Sequence, residues 1–227
     1  MAKRIVFLPS RNNNNLLFTE KLVDFEWVPG IAITQARRSI KNLHIAAKVQ
    51  LNLDKILEIS TRSDEPLGVA LSAFNLCFEN FNFSVESVYQ SSKVFERGGP
   101  YIDLLSASSR DAKTDDRLKT SGELVGFMHQ GREFPVTKAP NFYDYLYITG
   151  LLANNESNYL IKYEGFSDIA FSQISLIYNK KRSYNCQARS AAIFVTLLSR
   201  HPKGEILNNL VQMMQQGHDE DTQLDLF

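Results

Sequence analysis

Apolar and polar positions alternate along the chain in segments that change period. Ile5-Val6-Phe7-Leu8 is a short apolar run of strand type, and Arg11-Asn12-Asn13-Asn14-Asn15 breaks it with polar, turn-forming residues. Pro29-Gly30 punctuates the next stretch. From Thr34 to about Leu51 the apolar residues Ala36, Ile40, Leu43, Ala47 and Leu51 recur at three- and four-residue spacing, which predicts a helix capped by Thr34. Ile56 to Ser60 reads as a strand, and Asp64-Glu65-Pro66-Leu67-Gly68 as a turn. Ser84 is placed to cap a helix from Val85 to about Phe95, stopped by Gly98-Gly99-Pro100. Ser106 to Gly122 is polar and partly loop. Phe142, Tyr145, Leu146, Ile148, Leu151 and Leu152 form a helical stripe of core type, and further helices are predicted over Gln187–Leu198 and from about Glu205 to Met214. The pattern as a whole predicts one helix-rich α+β domain, with an acidic tail from His218 to Phe227.

Composition narrows the function classes. The 227 residues are 44% hydrophobic and 22% charged, with 25 basic residues against 25 acidic ones. Such a chain does not coat nucleic acid by bulk charge, so a nucleic-acid contact must come from a local arrangement. No apolar stretch approaches the ~20 residues that span a bilayer, so no membrane partner is expected. The apolar start is too short for a signal peptide, and Cys77 and Cys186 are too few for a disulfide framework. Both read as buried thiols of a cytoplasmic protein. There is no phosphate loop, no GxGxxG, no HExxH, no CxxC pair and no GxSxG elbow. His44, His129, His201 and His218 are scattered, and nothing in the sequence calls for a metal or a cofactor.

What remains is a constellation of carboxylate, phenol, amide and amine. On a helix after Ser84, Glu86 and Lys93 are two turns apart, with Tyr89 and Gln90 between them on one face. Such a stripe is either a solvated helix face or a site.

The same residues resemble a family. Leu71-Ser72-Ala73-Phe74-Asn75-Leu76 and the segment Ser84-Val85-Glu86-Ser87-Val88-Tyr89-Gln90-Ser91-Ser92-Lys93-Val94-Phe95 are similar to the paired signature of NADAR domains. Phe166-Ser167-Asp168-Ile169 and Asn185-Cys186-Gln187-Ala188-Arg189-Ser190 resemble the second half of the family. The resemblance covers roughly residues 56 to 200. It implies a single NADAR-like (YbiA-like) domain over 56–217, an N-terminal extension over 1–55 packed on it, and a flexible tail over 218–227. Gly98-Gly99-Pro100-Tyr101-Ile102-Asp103-Leu104-Leu105 and the Asn185 block resemble the branch that accompanies DarT-type DNA ADP-ribosyltransferase toxins. That branch implies an antitoxin that removes ADP-ribose from guanine bases in DNA. The alternatives are N-glycosidic cleavage of a riboflavin-pathway-like intermediate, or a non-catalytic module that binds ADP-ribose or the toxin. The glycine-rich segment of the riboflavin-associated proteins is replaced here by Tyr178-Asn179-Lys180-Lys181-Arg182-Ser183-Tyr184, which favours a different ligand.

Within that resemblance each residue takes a role. Glu86 is suited to shuttle a proton or to oppose positive charge on the sugar. Lys93 either holds a diphosphate oxygen, attacks C1 of the ribose as a neutral amine, or pairs with an acid such as Glu86. Asp168 accepts hydrogen bonds from ribose hydroxyls or activates water, or else caps the next segment. Asn185 and Gln187 bracket a helix start that can face a diphosphate, Asn185 also being a plausible N-cap. Arg189 pairs with an acid such as Asp168 or reaches the ligand. Arg62 is a phosphate partner, Ser72 and Asn75 lie in a loop against the ligand, and Phe74 stacks on adenine or fills the core. Tyr89 and Gln90 complete the ligand-binding set. Lys180, Lys181 and Arg182 form the one compact basic run, placed to touch a DNA backbone, and single-stranded substrate lowers the cost of extruding a modified base. Finally, Gln223, Leu224, Leu226 and Phe227 resemble the peptide by which bacterial DNA-processing proteins dock on the replication sliding clamp.

Overall fold

The computed structural model of the chain describes residues 1–12, 16–78, 82–170 and 186–215. Its frame is a four-stranded sheet. Strand β1 (Ala2–Pro9) pairs antiparallel with β2 (Phe18–Phe25), from Ala2 opposite Phe25 to Pro9 opposite Phe18. On its other edge β1 meets β7 (Gly165–Ser167) at Phe7 and Phe166, and β7 pairs in parallel with β3 (Ile56–Glu58). The sheet order is therefore β2-β1-β7-β3. Residues 1–55 thus supply two of its strands and the helix that covers one face.

Both faces of this sheet are covered, which explains the unbroken apolar run in β1. Helix α1 (Ile33–Leu51) lays Ile40, Leu43 and Ala47 against Val6, Val23, Phe25 and Ile56. The alternate residues Ile5 and Phe7 point the other way, into a larger core. There they meet Phe166, α6 (Ala139–Ala153) and α7 (Gln187–Arg200). A strand buried on both faces cannot show apolar–polar alternation. The helix α1 begins one residue before Thr34. Ala32 occupies the cap position, where its N–H donates to Gln35 Oε1 at 2.9 Å, so Thr34 lies inside the first turn. The expected turn at Asp64–Gly68 becomes α2 (Pro66–Ala70), which Pro66 opens with its preset φ.

Ser84 does cap α3 (Val85–Ser91), its Oγ accepting from Ser87 N at 3.0 Å. This helix ends earlier than the sequence predicts. The hydroxyls of Ser91 and Ser92 both donate to the carbonyl of Val88, at 3.0 and 2.7 Å, and compete with the backbone for it. Lys93 then opens β4 (Lys93–Phe95), the first strand of a second sheet. This strand pairs with β5 (Leu124–His129), which forms with β6 (Arg132–Pro135) a hairpin turned by Gln130 and Gly131 at φ 48° and 74°. The polar stretch after Ser106 holds α4 (Ser109–Thr114) and α5 (Arg117–Thr120). Helix α8 (Ile206–Gln215) closes the described chain, with Ile206 and Leu210 in the larger core. Cys186 is buried as expected, whereas Cys77 is exposed, because it lies in the short link between the α2 loop and α3. No helix of the described residues is long and apolar enough to cross a membrane.

Candidate active site

Four segments of the chain are tied together at one place. The Leu71–Leu76 loop folds over the start of α3, where Glu86 N donates to Ala73 O and Val85 N to Leu76 O, both at 2.9 Å. Tyr147 on α6 holds the loop from behind, its hydroxyl donating to Leu71 O at 2.6 Å. Gln187, the first residue of α7, bridges the remainder. Its Oε1 accepts from Ala73 N at 2.8 Å while its Nε2 donates to Asp168 Oδ2 at 3.1 Å. Glu86, Gln187 and Asp168 thereby converge. Tyr143 of α6 lies within the field of both carboxylates: burial raises its phenol far above its ordinary pKa, and the charges of Glu86 and Asp168 add to that.

Glu86 is 2% exposed, in the first turn of α3. A buried carboxylate is tolerated only where donors and cations face it. Gln90, one turn on, donates Nε2 to Glu86 Oε1 at 2.8 Å, and Lys113 Nζ stands 3.5 Å from the same oxygen. Gln90 Oε1 is buried with no hydrogen-bond partner. Lys93 does not share a helix face with Glu86 as the sequence predicts, since it belongs to β4. Its Nζ lies 5.0 Å from the centre of the Tyr89 ring. It is nevertheless close enough to feel Glu86. The Lys93 pKa is lowered to about 8, chiefly by burial, with the negative charge of Glu86 opposing the shift and the positive charge of Lys113 adding to it. Tyr89 is itself set in aromatic contacts with Phe127, Phe142 and Tyr143.

Lys113 is the member that sequence reasoning missed. It lies on α4, a helix of six residues in a stretch read as partly loop. Its amine sits 4.9 Å above the half-buried ring of Phe74, and its side chain is 47% exposed. The signal for α4 was the Ser108-Ser109-Arg110-Asp111 sequence, in which Ser108 Oγ accepts from Asp111 N at 3.1 Å. Ser109 fixes this helix against the site, its Oγ making 2.7 Å contacts with Phe74 O and with the capping Ser84 Oγ.

The other expected site residues fall as follows. Ser72 is buried and donates to Val69 O at 2.8 Å, while Asn75 is exposed and donates Nδ2 to the same carbonyl at 2.9 Å. Both therefore shape the loop. Arg62 is exposed in the turn after β3, its N–H donating to Ser60 Oγ at 3.2 Å. Arg189 pairs with Asp144 of α6 at 2.6 Å rather than with Asp168. The reason is helix registry: Asp144 and Arg189 face each other across the α6–α7 contact, while Gln187, two residues earlier, takes Asp168. The expectations for Asn185, for Lys180, Lys181 and Arg182, and for Gln223, Leu224, Leu226 and Phe227 lie outside the described residues. Among the described residues no group of three His, Cys, Asp or Glu side chains is placed to hold a metal.

A helix-rich α+β domain with a buried helix-borne carboxylate 3.5 Å from an amine is consistent with a NADAR-type fold. The sequence model for the DarT1-associated NADAR antitoxin matches residues 2–223, and the chain belongs to that family. The match includes the N-terminal strands and α1, beyond the segment from 56 to 200 that carries the motifs. No curated protein matches the chain.

Proposed function

We propose that this antitoxin is a glycohydrolase that removes ADP-ribose from guanine bases in DNA and so reverses a DarT-type toxin. The observation that carries the reading is the buried Glu86 carboxylate 3.5 Å from the Lys113 amine and within electrostatic reach of a partly desolvated Lys93. A plain structural acid needs one cation. This one has two, and the second is held in a poorly solvated position where an amine loses its proton easily. With its pKa lowered to about 8 by burial, the Lys93 amine reaches its neutral form near physiological pH far more readily than an ordinary lysine.

The chemistry follows from that state. Neutral Lys93 Nζ adds to C1 of the ribose as the bond from C1 to the guanine amine breaks. The proton that Nζ gives up passes through Glu86 to the departing amine, so guanine leaves with its amino group restored. ADP-ribose then sits on Lys93, either ring-closed or as the ring-opened imine. Water completes the cycle: its hydroxyl goes to C1, its remaining hydrogen returns to Nζ, and ADP-ribose departs. Asp168, oriented by Gln187, accepts hydrogen bonds from ribose hydroxyls. The half-exposed Lys113 amine suits a diphosphate oxygen, and the Phe74 ring beneath it suits the adenine. Lys180, Lys181 and Arg182 remain the proposed DNA-backbone contacts, and the terminal Gln223–Phe227 segment the proposed clamp anchor.

The test is to incubate the purified protein with an oligonucleotide carrying ADP-ribosylated guanine and to measure free ADP-ribose. Release that Glu86→Gln abolishes supports the reading. Binding of ADP-ribose without release makes the protein a binding module instead, and release from a small N-glycoside but not from DNA makes it a metabolic glycosidase.

A further inference from the structure

Glu58 is the last residue of β3, 1% exposed, and no step of the proposed chemistry uses it. Its carboxyl nonetheless accepts three hydrogen bonds. Oε1 accepts from Ser60 Oγ at 2.8 Å and from Ile169 N at 2.9 Å, and Oε2 accepts a short hydrogen bond from Ser167 Oγ. Ser167 and Ile169 are the two neighbours of Asp168. The strands add a backbone clasp, Ile59 N donating to Ser167 O at 2.9 Å. From the far side Arg4 Nε donates to Ile169 O at 3.2 Å, and His44 Nε2 of α1 lies 2.9 Å from Ser167 Oγ.

We propose that Glu58 is a positioning residue for Asp168: by gripping residues 167 and 169 together it fixes the turn between them and directs the Asp168 carboxylate at Gln187 and the ligand. The inference rests on the proposed function only in that Asp168 faces the ADP-ribose moiety. A hydrophobic residue at the end of β3 would pack equally well there. It would leave the Ile169 N–H and the Ser60 hydroxyl without their acceptor, and the turn without its fixed geometry.

A consequence for charge follows. Two carboxyls side by side are not both ionised cheaply. Burial, with the charge of Asp168 added, raises the Glu58 pKa to about 8. The groups that face it are His44 and, beyond it, Lys48 on α1, Arg4 on β1, and Asp168 after β7. His44 is itself held neutral, its pKa lowered to about 4 by burial and by Lys48. Near neutral pH Glu58, the more deeply buried of the two carboxyls, therefore holds a proton. In that state the Glu58 Oε2–H donates to Ser167 Oγ, whose own hydroxyl turns to donate to His44 Nε2, so the hold on residue 167 is kept and every partner stays satisfied. Above about pH 8 a negative charge appears behind Asp168 and loosens the turn.

The experiment measures ADP-ribose release from the modified oligonucleotide, from about pH 6 to pH 9.5, for wild type, Glu58→Gln and Glu58→Ala, with thermal melts of each. Glu58→Gln copies the protonated acid. It should match wild type near pH 7 and keep its rate near pH 9, where wild type declines after the rise that Lys93 brings. Glu58→Ala should lose about tenfold or more in kcat/KM near pH 7, with ADP-ribose affinity weakened alongside. A folded Glu58→Ala at the wild-type rate, or a Glu58→Gln that declines at alkaline pH as wild type does, overturns the proposal. If wild type binds ADP-ribose but releases none, the glycohydrolase reading falls by itself. Glu58 is then read from calorimetric ADP-ribose affinity, where tenfold weakening in Glu58→Ala supports its role and equal affinity overturns it. Failure of wild type to bind ADP-ribose at all overturns both.

Discussion

Arg189 separates a structural from a ligand-binding reading of one residue. Its guanidinium donates to Asp144 Oδ2 at 2.6 Å, with the two side chains 19% and 6% exposed, and Ser190 Oγ donates to Asp144 Oδ1 at 2.6 Å. Arg189→Ala removes the cation and leaves a buried carboxylate with one hydroxyl donor. Breaking such a pair costs about 3–5 kcal/mol, and the partial exposure of Arg189 puts this case near the lower figure. For a chain of this size that lowers the melting temperature by roughly 6–12 °C. The loss depends on pH in a defined direction. Burial raises the Asp144 pKa, and Arg189 and Ser190 pull it back. Without Arg189 it rises further, so the folded state binds a proton at pH values where the unfolded chain has released it. Stability then falls as pH rises from the unfolded value of about 3.9 through the folded one. The deficit of Arg189→Ala against wild type should be smallest near pH 4.5 and largest near pH 8, as read by thermal melts at both. Adding Asp144→Asn should recover most of it, because the unpaired charge is gone. Equal melting of Arg189→Ala and wild type near pH 8, together with weakened ADP-ribose binding, would refute the structural assignment and return Arg189 to the ligand.

Glu86→Gln should lower ADP-ribose release by about 10²-fold or more while melting within a few degrees of wild type, because the amide fills the same space but carries no proton; wild-type turnover by this variant removes Glu86 from the chemistry. Borohydride added during turnover should trap an adduct on Lys93, and the rate should rise as pH increases through about 8 as the amine loses its proton. Absence of an adduct, with Lys93→Arg only weakening binding, moves Lys93 to a diphosphate role. Ser84→Ala should cost about 1 kcal/mol, roughly 2–4 °C in melting temperature, by uncapping α3 and leaving the Ser109 hydroxyl one partner short. A chain ending at Asp221 should lose calorimetric binding to the sliding clamp that the full chain shows, and equal binding by both removes the tail from that role.

The elements that the sequence determined by itself are those whose signal is local. Helices α1, α6, α7 and α8 are legible from three- and four-residue apolar spacing, and the start of α3 from the Ser84 cap, because each is specified by residues within one or two turns. Glu86 with Gln90 is legible for the same reason, being i and i+4 on one helix. What only the tertiary structure decided lies where distant segments meet. The end of α3 depends on serine hydroxyls taking the Val88 carbonyl and on Ser92 O accepting from Met128 N at 2.8 Å in β5, so periodicity alone carried Lys93 onto the wrong element. Strand β6 has only four residues, too few positions to announce itself, and β5 takes its second partner, β4, from an earlier segment. Lys113 reaches Glu86 only because Ser109 seats α4 on the Phe74 loop, and Arg189 chooses Asp144 over Asp168 through the registry of two packed helices. Glu58 gave no signal in a strand of three residues, since its meaning comes from standing beside Ser167 in a parallel pair that joins segments 109 residues apart. Local periodicity specifies which residues form an element. Only packing specifies which charges must then share a buried space.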